Sequence, residues 1–111
     1  MIDVDGRELK VLVLRNPLDM MQGLRPYQDV PGDFDGLLFV FPNVRKREFT
    51  GSGMSRSVYL CLLRGTRESF SSVKCTCLPP GGYTVMDGRI FIERLASDGC
   101  EQFYTFGGVQ K

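Results

Sequence analysis

The sequence predicts a mainly β fold, a single-domain β-sandwich or partly closed barrel with one short helix near residues 17–23. Short apolar runs of strand length recur along the chain, separated by turns rich in glycine, proline and aspartate. Only the segment that begins at Asn16 combines the start and stop signals of a helix. The longest apolar run covers residues 37–41, whereas a membrane helix needs about 20 residues.

Length and composition favour one globular domain over residues 1–111, with an ordinary balance of 42% hydrophobic and 24% charged residues. The net charge of +1 gives no global attraction to nucleic acid or to a membrane surface. The first six residues contain neither a basic segment nor an apolar stretch, as a signal peptide would. We therefore expect a cytoplasmic protein that does not bind membranes.

The four cysteines are Cys61, Cys75, Cys77 and Cys100, and in the cytoplasm we expect them to be reduced, buried thiols. Cys75 and Cys77 would lie on one strand face about 7 Å apart, too far for an easy disulfide. The chain has no histidine, and the other two cysteines have no matching spacing. We therefore expect no metal and no cofactor.

The first half of the chain begins with a hairpin, because Asp5-Gly6 separates two apolar runs at residues 2–4 and 8–14. In the helix that follows, Asn16 can cap, Pro17 suits the first position and Gly23 suits the end. We expect a loop over residues 25–36, a central strand over 37–41 that Pro42 stops, and a long polar loop over 43–57.

The second half is predicted as two further hairpins. Strands over residues 58–63 and 70–78 flank a turn at 64–67. After the Pro79-Pro80-Gly81-Gly82 break, strands over 83–86 and 89–95 flank Asp87-Gly88, a second tight-turn signal. The aromatic residues 103–106 could add a last strand.

Several segments resemble a prokaryotic family known as domain of unknown function 192. Its members have a short helix that ends in Gly-Leu, a Leu-Pro-Glu-Asp type of loop and the run Gly-Met-Leu-Phe-Val-Phe. Here Gly23-Leu24, Val30-Pro31-Gly32-Asp33 and Gly36-Leu37-Leu38-Phe39-Val40-Phe41 follow in that order at nearly that spacing. The resemblance covers residues 9–99, is strongest over 36–63, and implies a mainly β, sandwich-like fold without implying a function.

The chain departs from the family pattern at one polar segment. Phe49 aligns with a family phenylalanine, but the Trp-Met-Lys-Asn-Thr that follows it in the family is replaced by Thr50-Gly51-Ser52-Gly53-Met54. The aspartate that follows Pro-Leu in the family is replaced by Tyr59. The resemblance therefore implies a shared scaffold on which this chain has lost or replaced the family's polar residues.

Catalysis is not indicated by the residues. Without histidine, Ser-His-Asp and Cys-His arrangements are impossible. The aspartates are scattered through turns, where their side chains usually bond nearby backbone, although Asp29, Asp33 and Asp35 could meet at a cation. Thr50-Gly51-Ser52-Gly53 lacks the lysine and the helix of a phosphate-binding loop. We therefore favour a protein that is not an enzyme.

We predict a binding or interaction module that recognises its partner through the polar loops at 43–57 and 25–36. A protein partner is expected first. One alternative is a degenerate enzyme or small-molecule binder with a pocket between sheets, and another is a weak nucleic-acid binder that uses the basic loop 45–56. The candidate binding residues combine local positive charge with apolar anchors: Arg45, Lys46, Arg47, Phe49, Met54, Arg56 and Tyr59.

Overall fold

The computed structural model describes residues 1–22, 34–51 and 54–96, except for the side chains of residues 19, 21 and 22. In chain order its elements are β1 (Ile2–Val4), β2 (Arg7–Leu9), β3 (Val11–Leu14), α1 (Pro17–Gln22), β4 (Gly36–Thr50), β5 (Val58–Thr66), β6 (Ser69–Leu78) and β7 (Tyr83–Leu95). No helix within these residues is long and apolar enough to cross a membrane.

The described strands form a single sheet in the order β2-β1-β6-β5-β7-β4-β3. The β1–β6 and β3–β4 pairs are parallel and the other pairs are antiparallel. The two outermost strands, β2 and β3, are separated in the chain by Lys10 alone. Because one residue cannot span an open seven-stranded sheet, the sheet curls into a half-barrel. The prediction of a mainly β fold is confirmed, in its partly closed barrel form.

One apolar cluster occupies the concave side of the half-barrel. Each of the seven strands contributes one buried residue to it: Ile2, Leu9, Val11, Leu38, Leu63, Phe70 and Ile92. A cluster that collects one residue from every strand must lie where the strands converge. Burial of these side chains stabilises the curl, since each fully buried aliphatic or aromatic side chain contributes about 1.5–3 kcal/mol.

A second cluster covers the opposite face of the sheet and includes Met20 from α1. Leu37 and Phe39 belong to this cluster, whereas the intervening Leu38 belongs to the concave one. This alternation follows from the strand period of two residues. Both faces of β4 are therefore covered over residues 37–41, which explains why this run is apolar throughout.

Two sequence patterns near the N-terminus form the turn and the helix cap that they predict. Asp5 and Gly6 have positive φ angles of 55° and 86° in the turn between β1 and β2. The Asn16 side chain accepts a hydrogen bond from the Leu18 N–H at 2.8 Å, and its carbonyl accepts one from the Met20 N–H at 3.0 Å. Asn16 therefore caps α1, with Pro17 at the first helical position.

The prediction of a loop over 43–57 is wrong for residues 43–50, which belong to β4. Pro42 does not end the strand, because it lies in an irregular section where pairing with β7 is interrupted. Between Val40 and Arg45, β4 advances five residues while β7 advances two, from Ile90 to Gly88. The extra residues form an irregular excursion over residues 41–44, where a missing N–H breaks no ladder hydrogen bond.

The prediction of a second tight hairpin at Asp87-Gly88 is also wrong. Both residues lie inside β7, opposite Lys46 and Arg45 of β4. A Cβ atom at position 88 would overlap Leu62 Cδ1 and would lie 2.9 Å from Phe91 Cζ. Glycine is needed there for close packing between neighbouring side chains rather than for a turn.

The expectation of reduced cysteines is contradicted for three of the four. Cys61 and Cys75 are directly opposite on β5 and β6 and form a disulfide. Cys77 is also disulfide-bonded. Strand spacing disfavours a bond between Cys75 and Cys77, but Cys61 lies opposite Cys75 on the neighbouring strand of the hairpin.

Three other sequence predictions fall on parts of the chain outside the described residues. These are most of the 25–36 loop, the Ser52-Gly53 pair, and the C-terminal strand over 103–106. Asp35, near the end of the predicted 25–36 loop, is among the described residues. Its carboxylate accepts a hydrogen bond from the Lys10 N–H at 2.8 Å, so its backbone partner is distant in sequence and not in the same turn.

Candidate functional site

A pocket of about 850 Å³ opens on the face of the sheet that α1 covers. Met20 of α1, Phe39 and Phe49 of β4, and Met54 of the following segment line it. All four also belong to the second apolar cluster, so the pocket is continuous with the core. Its size lies within the range of small-molecule sites, which are concave and mostly apolar with a few polar groups.

Four phenylalanines form a closed ring of contacts behind this pocket. The Phe39 ring centroid lies 6.5 Å from that of Phe41 and 6.0 Å from that of Phe49. Phe91 completes the ring, at 6.0 Å from Phe41 and 4.8 Å from Phe49. Two of the contacts are edge-to-face, an arrangement that the aromatic quadrupole favours. The resulting wall is rigid, apolar and aromatic.

Backbone hydrogen bonds fix the next section of the wall. The Gly51 N–H donates to the Gly82 carbonyl at 2.8 Å, and the Gly51 carbonyl accepts from Gly81 and Met54 at 3.0 Å each. A Cβ at position 51 would lie 2.5 Å from the Pro79 carbonyl oxygen. Glycine therefore allows the chain after β4 to approach the turn before β7, and this approach carries Met54 into the pocket wall.

Arg47 is held against its own strand at the edge of the pocket. Its Nη2 donates to the Asn43 carbonyl at 2.7 Å and to Asn43 Oδ1 at 2.8 Å. Its guanidinium carbon lies 3.9 Å from the centroid of the Phe41 ring. Nε of Arg47 is buried and has no hydrogen-bond partner. Desolvation by burial, and secondarily the charge of Arg45, lower the pKa of Arg47 below its ordinary value.

The remaining polar lining is mixed in charge. Arg15, Lys46 and Arg89 contribute positive groups, and Glu48 and Glu93 contribute carboxylates. Glu48 accepts a hydrogen bond from Tyr83, which also lines the pocket. Partial desolvation, followed by the Glu48 charge and this hydrogen bond, raises the pKa of Tyr83 above its ordinary value. Glu93 is the one buried charged residue of the described chain.

The structure brings together four of the seven predicted binding residues. Lys46, Arg47, Phe49 and Met54 all line the pocket. Phe49 and Met54 are each only 8% exposed, so they are core residues that form the pocket wall rather than anchors that project into solvent.

The other three predicted residues lie outside the pocket. Arg45 and Arg56 are exposed. Tyr59 is paired across β5 and β7 with Arg94, on the opposite sheet face from its neighbours Val58 and Leu60. The predicted set is therefore divided between two faces of the sheet.

Sequence reasoning missed the part of the pocket that comes from distant segments. The sequence predicts that Phe41 ends a central strand, that Met20 lies in the short helix and that Tyr83 begins a hairpin. They meet only because β4 and β7 are long and paired over most of their length. The available signal was the presence of Phe49 and Met54, two large apolar residues, within a segment that is otherwise polar.

The described residues contain no group of three or more cysteine, aspartate or glutamate side chains arranged to hold a metal ion. No family model and no curated protein matches the chain. A solved structure of a proposed transcription regulator from Sinorhizobium meliloti 1021 is similar, with a TM-score of 0.64 and 19% sequence identity. The match covers 96% of this chain and 81% of that chain. At this identity the similarity concerns the fold alone.

Proposed function

We propose that this protein is a non-catalytic binding module. Its site is the pocket between α1 and the paired strands β4 and β7, and its ligand is a small molecule with an apolar body. The observation that carries this proposal is a cluster of four phenylalanines beside a pocket of about 850 Å³. Its members, in contact with one another, are Phe39, Phe41, Phe49 and Phe91. A preformed concave site with an apolar wall and few polar groups suits such a ligand.

A small molecule is favoured over the protein partner expected from the sequence because of burial. Phe49 and Met54 were the apolar anchors of the protein-binding hypothesis, and both are nearly inaccessible to a flat protein surface. Of the remaining predicted residues, Arg47 is committed to Asn43 and Phe41. Protein interfaces rely on aromatic and arginine anchors that lie together. Arg45 and Arg56 are exposed but lie outside the pocket that Phe49 and Met54 line.

The family resemblance is a further proposal that agrees with this location. The segment of strongest resemblance, residues 36–63, supplies Phe39, Phe41, Phe49 and Met54 to the pocket. The segment that departs from the family pattern, Thr50 to Met54, also contributes to the lining. We propose that the chain shares the scaffold of domain of unknown function 192 and differs in what the pocket accepts.

The direct test is titration with an uncharged fluorescent probe, N-phenyl-1-naphthylamine, whose emission rises in apolar surroundings. We expect saturable binding with one site per chain, and thermal stabilisation that grows with probe concentration. Phe41→Ala should weaken binding by roughly tenfold, because a buried aromatic contact of about 1.5 kcal/mol is lost.

The matched control is Val73→Ala, which removes a partly exposed apolar side chain from β6, outside this pocket. It should bind the probe as the unchanged protein does. Absence of saturable binding, or equal weakening by both substitutions, would contradict the proposal.

Nucleic-acid binding is a second candidate, favoured by the exposure of Arg45, Lys46 and Arg56 and by the role proposed for the Sinorhizobium protein. Lys46 faces Asp87 across β4 and β7, which partly neutralises this surface. This candidate predicts an affinity for mixed-sequence DNA that falls steeply with salt. Undetectable binding at low salt would remove it.

A further inference from the structure

The outer edge of β6 is covered over only part of its length. Among the described residues, β1 is the strand that pairs with β6 on this side, and it reaches Ser69 and Phe70. The Asp5 carboxylate extends the contact by accepting a hydrogen bond from the Ser72 N–H at 3.0 Å. We call the rest of this edge, residues 73–78, the open edge. Natural proteins usually cover such an edge, because its backbone groups can pair with another chain.

The backbone of Cys75 is directed into the open edge. The Cα atoms of Cys61 and Cys75, which are opposite on β5 and β6, lie 4.1 Å apart. Opposite residues of antiparallel strands lie about 4.5 Å apart where they exchange no hydrogen bonds and about 5.5 Å apart where they do. The N–H and C=O groups of Cys75 therefore point away from β5, towards the position that an added strand would occupy.

The cysteines identify the segment that reaches this edge. The chain contains four cysteines. Cys61 and Cys75 are bonded to each other, and Cys77 is also disulfide-bonded. Within one chain, Cys100 is the only cysteine left to pair with Cys77. A bond between these two would hold the chain that follows Cys100 against the open edge.

The end of β7 lies close enough to β6 for this bond. The Ala96 N–H donates to the carbonyl of Ser57 at 3.0 Å. Ser57 directly precedes Val58, which is opposite Leu78 of β6. Adjacent strands lie about 4.8 Å apart, so the path from β7 across β5 to β6 is about 10 Å. Cys100 follows Ala96 by four residues, which span up to about 14 Å when extended, so the chain can reach β6.

The direction and composition of the C-terminal segment suit an added strand. β6 and β7 are both antiparallel to β5, so they end at the same end of the sheet. A chain that leaves β7 and crosses to β6 must therefore run back along β6, antiparallel to it. Residues 101–106 include three aromatic residues and a threonine, which favour strands, and Gly107-Gly108 follows them as a stop. The segment 101–106 has the same number of residues as the open edge.

We propose that residues 101–106 form an eighth strand, antiparallel to β6 on its open edge, and that a disulfide between Cys77 and Cys100 holds the strand there. The occupant of this edge is the protein's own C-terminal segment, and an edge covered in this way is not available to other chains. Cys75 and Cys77 do not line the pocket, so this inference is independent of the proposed function.

The first measurement maps the disulfide. Refolding with oxidised glutathione supplies the oxidant: two cysteine thiols lose two electrons and two protons, and glutathione disulfide takes them up and becomes two thiols. After digestion with trypsin, a variant that combines Cys61→Ala with Cys75→Ala should yield residues 75–89 linked to residues 95–111. Cys77→Ala should instead release residues 95–111 as a separate peptide with a free thiol. Release of this peptide from the double variant would overturn the proposal.

Isotope labelling distinguishes the chain's own segment from a second copy. Equal amounts of unlabelled and nitrogen-15-labelled chains of the double variant are refolded together before digestion. We expect both halves of every linked peptide to carry the same label, because the bond lies within one chain. Linked peptides that join a labelled half to an unlabelled half would assign the open edge to a second copy and overturn the proposal.

Amide hydrogen exchange tests the strand itself. In the unchanged protein the Cys75 N–H should exchange about a hundredfold more slowly than in an unstructured peptide. Tyr104→Pro and Thr105→Pro remove consecutive N–H groups, of which one must point at β6 because these groups alternate along a strand. That variant should accelerate exchange at Cys75 about tenfold, and the matched control Val109→Pro should not.

Two results of the exchange experiment would contradict the strand even if the disulfide is present. One is fast exchange of the Cys75 N–H in the unchanged protein, a result that does not depend on whether the proline variants fold. The other is an effect of Val109→Pro on this N–H that equals the effects of Tyr104→Pro and Thr105→Pro.

Discussion

Arg47 covers the ring of Phe41, with its guanidinium carbon 3.9 Å from the ring centroid. In a regular strand, residues six positions apart lie about 20 Å from each other. These two meet within the irregular excursion over residues 41–44, where the pairing of β4 with β7 shifts. The contact therefore closes the excursion on itself, together with the bonds from Arg47 to Asn43.

The first prediction concerns the energy of this contact. Phe41→Leu keeps an apolar side chain but removes the aromatic face, and it should lower the free energy of unfolding by about 1 kcal/mol. A double-mutant cycle with Arg47→Gln, measured by urea denaturation, should give a coupling energy of about 0.5–1 kcal/mol. Additive effects of the two substitutions would show that the guanidinium and the ring do not interact.

The second prediction concerns Gly88. Gly88→Ala should lower the free energy of unfolding by about 1–3 kcal/mol, because its methyl group would overlap Leu62 Cδ1. The neighbouring Asp87→Ala is the control, since Asp87 is exposed. Combining Gly88→Ala with Leu62→Ala should cost less than the sum of the single changes. A harmless Gly88→Ala would contradict the close packing of Leu62 and Phe91 against this position.

The third prediction concerns the Cys61–Cys75 disulfide, which joins residues 14 positions apart. Replacing both cysteines by alanine should lower the free energy of unfolding by about 3 kcal/mol, the value for a closed loop of roughly 15 residues. Peptide mapping without reductant should recover the two cysteines in one linked fragment. Disulfides persist mainly in oxidising compartments. Locating the protein in its host is therefore a second test: an oxidising compartment agrees with this bond, and the cytoplasmic location expected from the sequence contradicts it.

The comparison of two aspartate-glycine pairs shows what local sequence can predict. Asp5-Gly6 and Asp87-Gly88 carry the same signal, yet only the first forms a turn. The apolar runs that flank Asp5-Gly6 are short and pair with each other. Those that flank Asp87-Gly88 pair instead with β4 and β5, which are distant in sequence. Long-range pairing overrides a turn signal, and no local pattern contains that information.

The candidate site was predictable in residue type but not in position. The sequence predicts Arg47, Phe49 and Met54 as binding residues, and all three line the pocket. It predicts a long polar loop for them because Pro42 and two glycines follow an apolar run. The excursion at 41–44 lets the strand continue past Pro42, and Gly51 serves a close backbone approach. The predicted residues therefore line a concave pocket instead of lying in a loop.

The fourth prediction concerns the ionisation of Tyr83. Its raised pKa means that the folded state holds the phenol proton more tightly than the unfolded state does. The associated stability is present below the unfolded value of about 10 and is lost as the pH rises through the folded pKa. In an absorbance titration of tyrosinate, the unchanged protein should contain a tyrosine that ionises at a higher pH than an ordinary tyrosine, and Tyr83→Phe should lack it. Glu48→Gln should lower the pKa of Tyr83, and an unchanged titration would contradict the contact.

The last prediction links the helix cap to ligand binding. α1 has only six residues and could not persist in isolation, so its position depends on Asn16 at one end and on Met20 packed in the core. Asn16→Ala should cost about 1 kcal/mol, since the Leu18 N–H loses its acceptor. Because Pro17 and Met20 line the pocket, the affinity for N-phenyl-1-naphthylamine should fall as well. Asn16→Asp keeps a capping oxygen and should preserve both stability and affinity. If Asn16→Ala lowers stability without changing affinity, the helix is a support for the sheet and not a wall of the binding site.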